Sequence, residues 1–253
     1  MVRYKVILAY DGTAFGGMQR QANSRSVQGE VETALRKLGW MGRSILVAGR
    51  TDAGVHALGQ VVAFDMDWKH EPARLLRAMN SGLPGDVAVR EVNITSEDFH
   101  PRYDANSRRY EYRLFCQAQR DPLRERYAWR VWPPVELAKL RTAAKLFEGK
   151  HDFAAFGSPP KKGGSTVRKV SLAKWRYIGD NEFLFDIMAD GFLYHMVRRI
   201  VGGQVKVAQG SSPMKAIKLA LAPKADKARA LAPAHGLTLA EVKYGAPRQR
   251  TKD

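Results

Sequence analysis

A turn-forming segment, Gly49-Arg50-Thr51-Asp52-Ala53-Gly54-Val55-His56, carries the side chains best suited to chemistry. It follows a short apolar stretch that predicts a strand, and it places a carboxylate, a guanidinium and two glycines in one loop. Glycine permits tight backbone geometry and close approach of a ligand, and Arg50 can hold Asp52 ionised at neutral pH. The pattern is typical of a loop that carries an active group. It also fits a surface turn in which Asp52 caps the backbone.

Two tyrosines lie two residues apart in a second alternating segment. Tyr110 and Tyr112 should project from one face of a strand, since successive side chains point to opposite faces. The other face would carry Arg109, Glu111 and Arg113. Tyrosines on a strand face either pack in a core, which is their commoner fate, or offer a platform to a ligand.

A cation on a predicted helix is the third candidate. Arg198 follows His195-Met196-Val197 in an amphipathic pattern, and taken alone it indicates a solvated side chain on the polar face of the helix.

No residue pattern indicates a metal or a cofactor. The chain has 6 histidines, and none forms a ligand pair such as H-E-x-x-H. The Gly16-Gly17 and Gly202-Gly203 pairs lack the spacing of phosphate-binding loops. We therefore expect neither a metal nor a nucleotide cofactor.

Strands and helices alternate around these candidate residues. Period-two patterns predict strands at residues 3–10, 45–48, 61–64, 87–92, 109–115, 171–177, 182–189 and 237–244. Period-3.6 patterns predict helices after Ser26, an N-cap residue, and at 72–79, 134–147, 194–208 and 214–221. A similar order recurs in the two halves. We divide the chain into residues 1–104, residues 105–245 and a polar tail at 246–253, in a mixture that is α/β or α+β.

The charge balance points to a polyanionic partner. The chain has 42 Lys and Arg against 25 Asp and Glu, for a net charge of +17. Nucleic acid fits this excess best, whereas a charge that only keeps the protein soluble is the alternative. A membrane surface fits less well, because no amphipathic segment concentrates the basic residues. A basic loop at 158–165 offers Lys161 and Lys162 as RNA contacts.

Cysteine usage and the N-terminal pattern indicate a compartment. Cys116 is the single cysteine, so no intramolecular disulfide can form. The first ten residues run directly into a strand pattern and lack the apolar stretch of a signal peptide. We expect a cytoplasmic protein.

The segment from Ala48 to His56 resembles the signature of the TruA family of tRNA pseudouridine synthases. Further segments resemble that family in the same order: Tyr10-Asp11-Gly12, Gln19-Arg20-Gln21, Asn80 to Asp86, Asp98 to Arg102, Arg108 to Tyr112, His151 to Phe153, and Phe192 to Gly202. The resemblance covers residues 3 to about 245. One departure is Met18, which stands where the family commonly carries tryptophan and affects a local packing or RNA contact.

The resemblance implies an activity and a role for each candidate. Asp52 would be the catalytic aspartate in an isomerisation that breaks the N1–C1′ bond of uridine and rejoins the base through C5. It would attack C6, attack C1′ or assist elimination at C2′. Tyr110 would lie in the active site, stack on the target base and move a proton, and Tyr112 would lie in the core. Arg198 would be the buried ionic partner of the aspartate, leaving Arg199 at the surface.

Further roles and the architecture follow from the same resemblance. Arg50 would help to extract the target nucleotide, a step that costs a few kcal/mol, and Arg20 is an expected RNA contact. The implied fold is α+β, with two similar halves whose sheets join across a central cleft. The implied enzyme is a homodimer without cofactor or metal that modifies uridines in the anticodon arm of tRNA. The alternatives are a pseudouridine synthase acting on other RNA and a non-catalytic RNA-binding protein.

Overall fold

The computed structural model describes residues 1–161, 163–222 and 225–245. Lys162 and the predicted polar tail lie outside the described residues. The strands are β1 Val2–Tyr10, β2 Leu46–Val47, β3 His56–Met66, β4 Val87–Ile94, β5 Ala105–Cys116, β6 Trp129–Val131, β7 Gly149–Asp152, β8 Val167–Gly179, β9 Glu182–Ala189 and β10 Leu237–Tyr244. The helices are α1 Val27–Lys37, α2 Pro72–Gly82, α3 Leu137–Lys145, α4 Met196–Ala208 and α5 Lys215–Ala220.

The chain divides into two compact units. The first contains Met1–Asn106 and, within the described chain, the residues from Leu239 onward; the second is Ser107–Thr238. The predicted boundary after residue 104 lies close to this division. The last strand differs from the prediction, because most of β10 is compact with the first unit, where it lies beside β3.

The first unit packs helices on a sheet in which the pairs of β1 with β3, β1 with β4 and β2 with β3 are antiparallel. Its strands follow the order β4-β1-β3-β10, and β2 adds to β3. Strand β1 buries every second side chain, as the alternation predicts. Helix α1 begins at Ser26, whose hydroxyl accepts a hydrogen bond from the backbone N–H of Gly29 at 3.2 Å. The fully buried side chains at the centre include Tyr4, Leu8, Leu35 and Leu75.

The second unit also packs helices on a sheet. Its strand order is β5-β9-β8-β7, with antiparallel pairs along this path, and β6 joins β5 in parallel. Helix α3 packs against both α4 and β8. Trp175 stacks on Phe185 across two strands, with ring centroids 5.0 Å apart. Both units therefore have the α+β class that the sequence predicts.

Several element boundaries differ from the predictions for physical reasons. Strand β3 begins at His56, five residues before the apolar run from Val61, because His56 and Gln60 are polar side chains that hydrogen bonds hold in the interior. Helix α3 begins three residues after Pro134. The short strands β6 and β7 carry no periodic signal and were not predicted.

No helix among the described residues has the length and hydropathy that crossing a membrane requires.

Candidate active site

Asp52 lies in a tight loop between β2 and β3. The loop starts where the backbone N–H of Ala48 donates to Val61 O at 2.9 Å, and it turns where the N–H of Val55 donates to Asp52 O at 3.2 Å. Gly54 has a φ of 76°, a conformation that side chains with a β-carbon rarely adopt. Thr51 is buried, whereas Asp52 is half-buried. The loop therefore presents its carboxylate from an ordered backbone.

A second segment packs backbone against backbone on this loop. The N–H of Met18 donates to Thr51 O at 3.1 Å, and the N–H of Gly54 donates to Phe15 O at 3.3 Å. Glycines make this approach possible. A β-carbon at Gly12 would lie 2.1 Å from Val55 O, and one at Gly17, where φ is 113°, would lie 2.6 Å from Thr51 O.

The buried polar side chains of Tyr10, Thr51 and Gln60 form hydrogen bonds at the loop. The hydroxyls of Tyr10 and Thr51 are 2.8 Å apart, and Gln60 Nε2 donates to Gly49 O at 2.9 Å and to the Tyr10 hydroxyl at 3.4 Å. Burial raises the pKa of Tyr10 to about 12, against the hydrogen bonds from Thr51 and Gln60, which lower it. Gln60 was not predicted as a site residue, because its position on a strand does not show which residues its side chain contacts.

Arg50 lies two residues before Asp52 in the loop, and its side chain is exposed. That Arg50 holds Asp52 ionised stays a prediction. An exposed guanidinium remains available to a ligand, and a role in nucleotide extraction stays a prediction.

His56, the first residue of β3, is a buried histidine that sequence reasoning did not single out. Its Nδ1 lies 3.0 Å from the N–H of Gly12 and 3.1 Å from Asp11 Oδ1. One nitrogen cannot serve both partners at once. Because the backbone N–H of Gly12 can only donate, Nδ1 is the acceptor of this hydrogen bond. The imidazole thus joins β3 to the segment that packs on the loop.

Arg20, an expected RNA contact, has a protein partner. Its Nη1 lies 2.6 Å from Oε2 of Glu32, a carboxylate with no exposed surface. Gln28 donates to the other oxygen of Glu32 at 2.8 Å and accepts from the backbone N–H of Arg20 at 3.1 Å. About half of the Arg20 side chain is exposed, so contact with RNA stays a prediction beside this structural role.

The aromatic candidates lie in the second unit, on β5. Tyr112 is fully buried and its hydroxyl donates to Pro233 O at 2.9 Å, which confirms the predicted core position. Tyr110 is 9% exposed and packs edge-on against Phe192, with ring centroids 5.0 Å apart. Phe192 was not predicted as a site residue, although it begins one of the segments that resemble the family.

Arg198 is anchored rather than solvated. Its Nε donates to Ala232 O at 2.8 Å, and the N–H of Ala232 donates to Arg198 O at 3.0 Å. Arg198 is half-buried, so the reading of a free surface cation is wrong. Arg199 is also half-buried and donates to Phe156 O at 3.3 Å, so it is not the plain surface residue that was expected.

The remaining candidates concern RNA and metal binding. Lys161 is exposed, and Lys162 lies outside the described residues. Among the described residues, no group of three or more His, Cys, Asp or Glu side chains has the arrangement of a metal site.

A half-buried carboxylate on an ordered loop, in a strongly basic α+β protein, fits an enzyme that acts on nucleic acid. Comparison with known proteins defines the class further. The chain belongs to the tRNA pseudouridine synthase family, a family of RNA-modifying isomerases, whose model matches residues 6–104 and 143–245. The resemblance identified in the sequence is therefore confirmed.

Three relatives illustrate the similarity, and each is called tRNA pseudouridine synthase A. The protein of Limosilactobacillus fermentum is 38% identical over 258 residues and the match covers 100% of both chains. That of Streptococcus equi subsp. equi is 39% identical, with 96% of this chain and 99% of the relative covered. That of Shouchella clausii is 39% identical, with 98% and 95% covered. A solved structure of a Cbf5-Nop10-Gar1 complex is similar with a TM-score of 0.40 and 13% identity, over 80% of this chain and 44% of that chain.

The close approach at Gly12 makes a testable prediction. Gly12→Ala should push the loop that carries Asp52 away, because the new methyl group would meet the Val55 carbonyl at 2.1 Å. We expect the rate of pseudouridine formation to fall by about 100-fold, the order of loss that a misplaced catalytic group causes. Gly85→Ala is the control, since a β-carbon there has nothing within 4 Å. Equal rates for the two variants would show that the close approach is not needed.

Proposed function

We propose that this protein isomerises uridine to pseudouridine in the anticodon arm of tRNA, with Asp52 as the catalytic carboxylate. The observation that carries the proposal is the loop from Gly49 to Val55, whose backbone and buried neighbours hold a half-buried aspartate inside the segment that resembles the family signature. The family match supports the reaction. The names of the relatives support tRNA as the substrate.

The chemistry requires an ionised carboxylate at a fixed point. The N1–C1′ bond of uridine breaks, the base turns, and a C5–C1′ bond forms; C5 then loses its hydrogen to water and N1 gains one. Attack by Asp52 on C6, attack on C1′ and proton removal from C2′ each use the negative carboxylate oxygen. All three routes also require the free base to be retained. A loop that fixes the carboxylate serves each of them.

The other site residues receive separate roles. We propose that Tyr110 stacks on the target base, as the family resemblance implies; its ring is 9% exposed and lies edge-on against Phe192. Arg198, oriented by Ala232 O, would supply a held positive charge. Arg50 would enter the space that the flipped nucleotide leaves, and its exposure suits that role.

The proposal extends to assembly and location. We propose a cytoplasmic homodimer, as the family resemblance implies. The single, buried cysteine is in keeping with a reducing compartment. The charge of +17 suits a tRNA partner, with Lys161, Lys162 and the exposed part of Arg20 among the expected phosphate contacts.

Removing the charge of Asp52 tests the proposal most directly. Asp52→Asn keeps the size of the side chain, but it lacks the negative oxygen that every route uses, so release of tritium from tRNA labelled at uridine C5 should vanish. The control Asp67→Asn makes the same charge change at an exposed residue of the same unit and should leave the rate unchanged. Melting temperature and tRNA affinity are measured for both variants. A normal rate for Asp52→Asn would eliminate the assignment, and a joint loss of folding and binding would indicate a structural aspartate.

Variants at Tyr110 separate stacking from proton transfer. Tyr110→Ala loses both functions, whereas Tyr110→Phe loses only the hydroxyl, and we expect a severe loss of turnover in each. Tyr112→Phe is the matched control: it removes the bond to Pro233 O and should lower the free energy of unfolding by about 1 kcal/mol at a normal rate. Tyr110 would be only a core residue if both of its variants turned over tRNA normally.

Salt dependence tests the basic loop. Binding should weaken steeply with salt, because the RNA releases counterions when lysines contact its phosphates. Replacing Lys161 and Lys162 with glutamine should reduce the slope of log affinity against log salt by up to about 2, with turnover of bound tRNA nearly unchanged. The double arginine variant keeps the charge and should keep the slope. Binding that does not respond to salt would contradict the proposal.

A further inference from the structure

We propose that Tyr10, Thr51 and Gln60 form a positioning network that sets where Asp52 stands, and that the rate of the reaction depends on it. The inference rests on the proposed function, since it assigns to these residues a share in the activity of Asp52. They are positioning residues and not catalytic ones, because each acts through the backbone of the loop from Gly49 to Val55.

The three side chains come from different elements and meet beneath the loop. Tyr10 is the last residue of β1, Thr51 lies in the loop, and Gln60 lies within β3. All three are buried, and Gln60 has no exposed surface. Two points of the loop are held, namely the carbonyl of Gly49 and the side chain of Thr51, the residue directly before Asp52.

Donors and acceptors fix the orientation of the Gln60 amide. The backbone N–H of Val61 donates to Gln60 Oε1 at 3.1 Å, so the amide nitrogen of Gln60 must face the loop. Its two hydrogens go to Gly49 O at 2.9 Å and to the Tyr10 oxygen at 3.4 Å. The Tyr10 and Thr51 hydroxyls share a further hydrogen bond of 2.8 Å, in which either hydroxyl can donate.

An irregularity in strand pairing places Tyr10 in this position. Leu8 pairs with Gln60, and regular antiparallel register would pair Tyr10 with Leu58, but Tyr10 pairs with Ala57 instead. The extra residue of β3 is a bulge, a feature that re-aims side chains and is common beside active sites. The irregularity thus falls between Leu8 and Tyr10 of β1, opposite the stretch of β3 that runs from Ala57 to Gln60.

Packing alone does not account for the polarity of the three side chains. A phenylalanine at position 10 and a valine at position 51 have nearly the same volumes as the residues present, and they would remove two hydroxyls from an interior where polar groups are costly. The network also carries no charge. Burial raises the pKa of Tyr10 to about 12, so the phenol stays neutral at any working pH, and the hydrogen bonds fix the loop without changing its electrostatics.

The test compares variants that keep or lose each hydroxyl. In single-turnover assays with tritium-labelled tRNA, Tyr10→Phe and Thr51→Val should each lower the rate by about tenfold or more, while tRNA affinity stays within about twofold. Thr51→Ser restores the hydroxyl and should recover most of the rate. Tyr4→Phe is the matched control, because Tyr4 is buried on the same face of β1 and, within the described chain, its hydroxyl has no hydrogen-bond partner.

The outcomes separate this inference from the proposed function. If the parent protein forms pseudouridine and Asp52→Asn does not, the function stands. Normal rates for Tyr10→Phe and Thr51→Val then overturn the network alone, even if both variants melt at lower temperature. A parent protein that forms no pseudouridine overturns both proposals. Should Tyr10→Phe fail to fold, the comparison of Thr51→Val with Thr51→Ser decides, and equal rates for that pair refute the inference.

Discussion

A carboxylate on a loop can serve a reaction only if the loop holds it in a fixed position. The contacts around the loop in the first unit meet this constraint. The residues from Gly49 to Val55 form a turn between two strands, where backbone hydrogen bonds are fewest. Two kinds of contact compensate. The backbone of the segment from Gly12 to Met18 packs on the turn from one side, and the side chains of Tyr10 and Gln60 hold it from beneath.

The same constraint explains why the supporting residues are small or neutral. Glycine at positions 12 and 17 has no β-carbon, and a β-carbon there would push the two backbones beyond hydrogen-bonding distance. The proposed network of Tyr10, Thr51 and Gln60 consists of uncharged side chains. An ion pair holds a neighbouring segment. Arg20 and the buried Glu32 fix the segment that follows Met18, since Gln28 joins both partners.

Local sequence patterns predicted most strands and helices, but they did not predict the buried polar contacts between them. Alternation in β1 and the capping serine of α1 are local signals, because strand faces and helix termini are satisfied by nearby residues. The loop of Asp52 was identifiable by its glycines and by family resemblance.

The role of Gln60 could not be predicted from neighbouring residues, because its side chain donates hydrogen bonds to Gly49 and Tyr10, which are 11 and 50 residues away in the chain.

The proposed role of Asp52 in making pseudouridine in tRNA can be measured in cells. Its most direct measurement is a map of pseudouridine in total RNA from cells that lack the gene, compared with cells carrying the parent gene or the Asp52→Asn gene. We expect pseudouridine to be missing from the anticodon arm of tRNAs in the deletion strain, restored by the parent gene and not by Asp52→Asn. Unchanged tRNA modification, a loss confined to ribosomal RNA, or full restoration by Asp52→Asn would contradict the account.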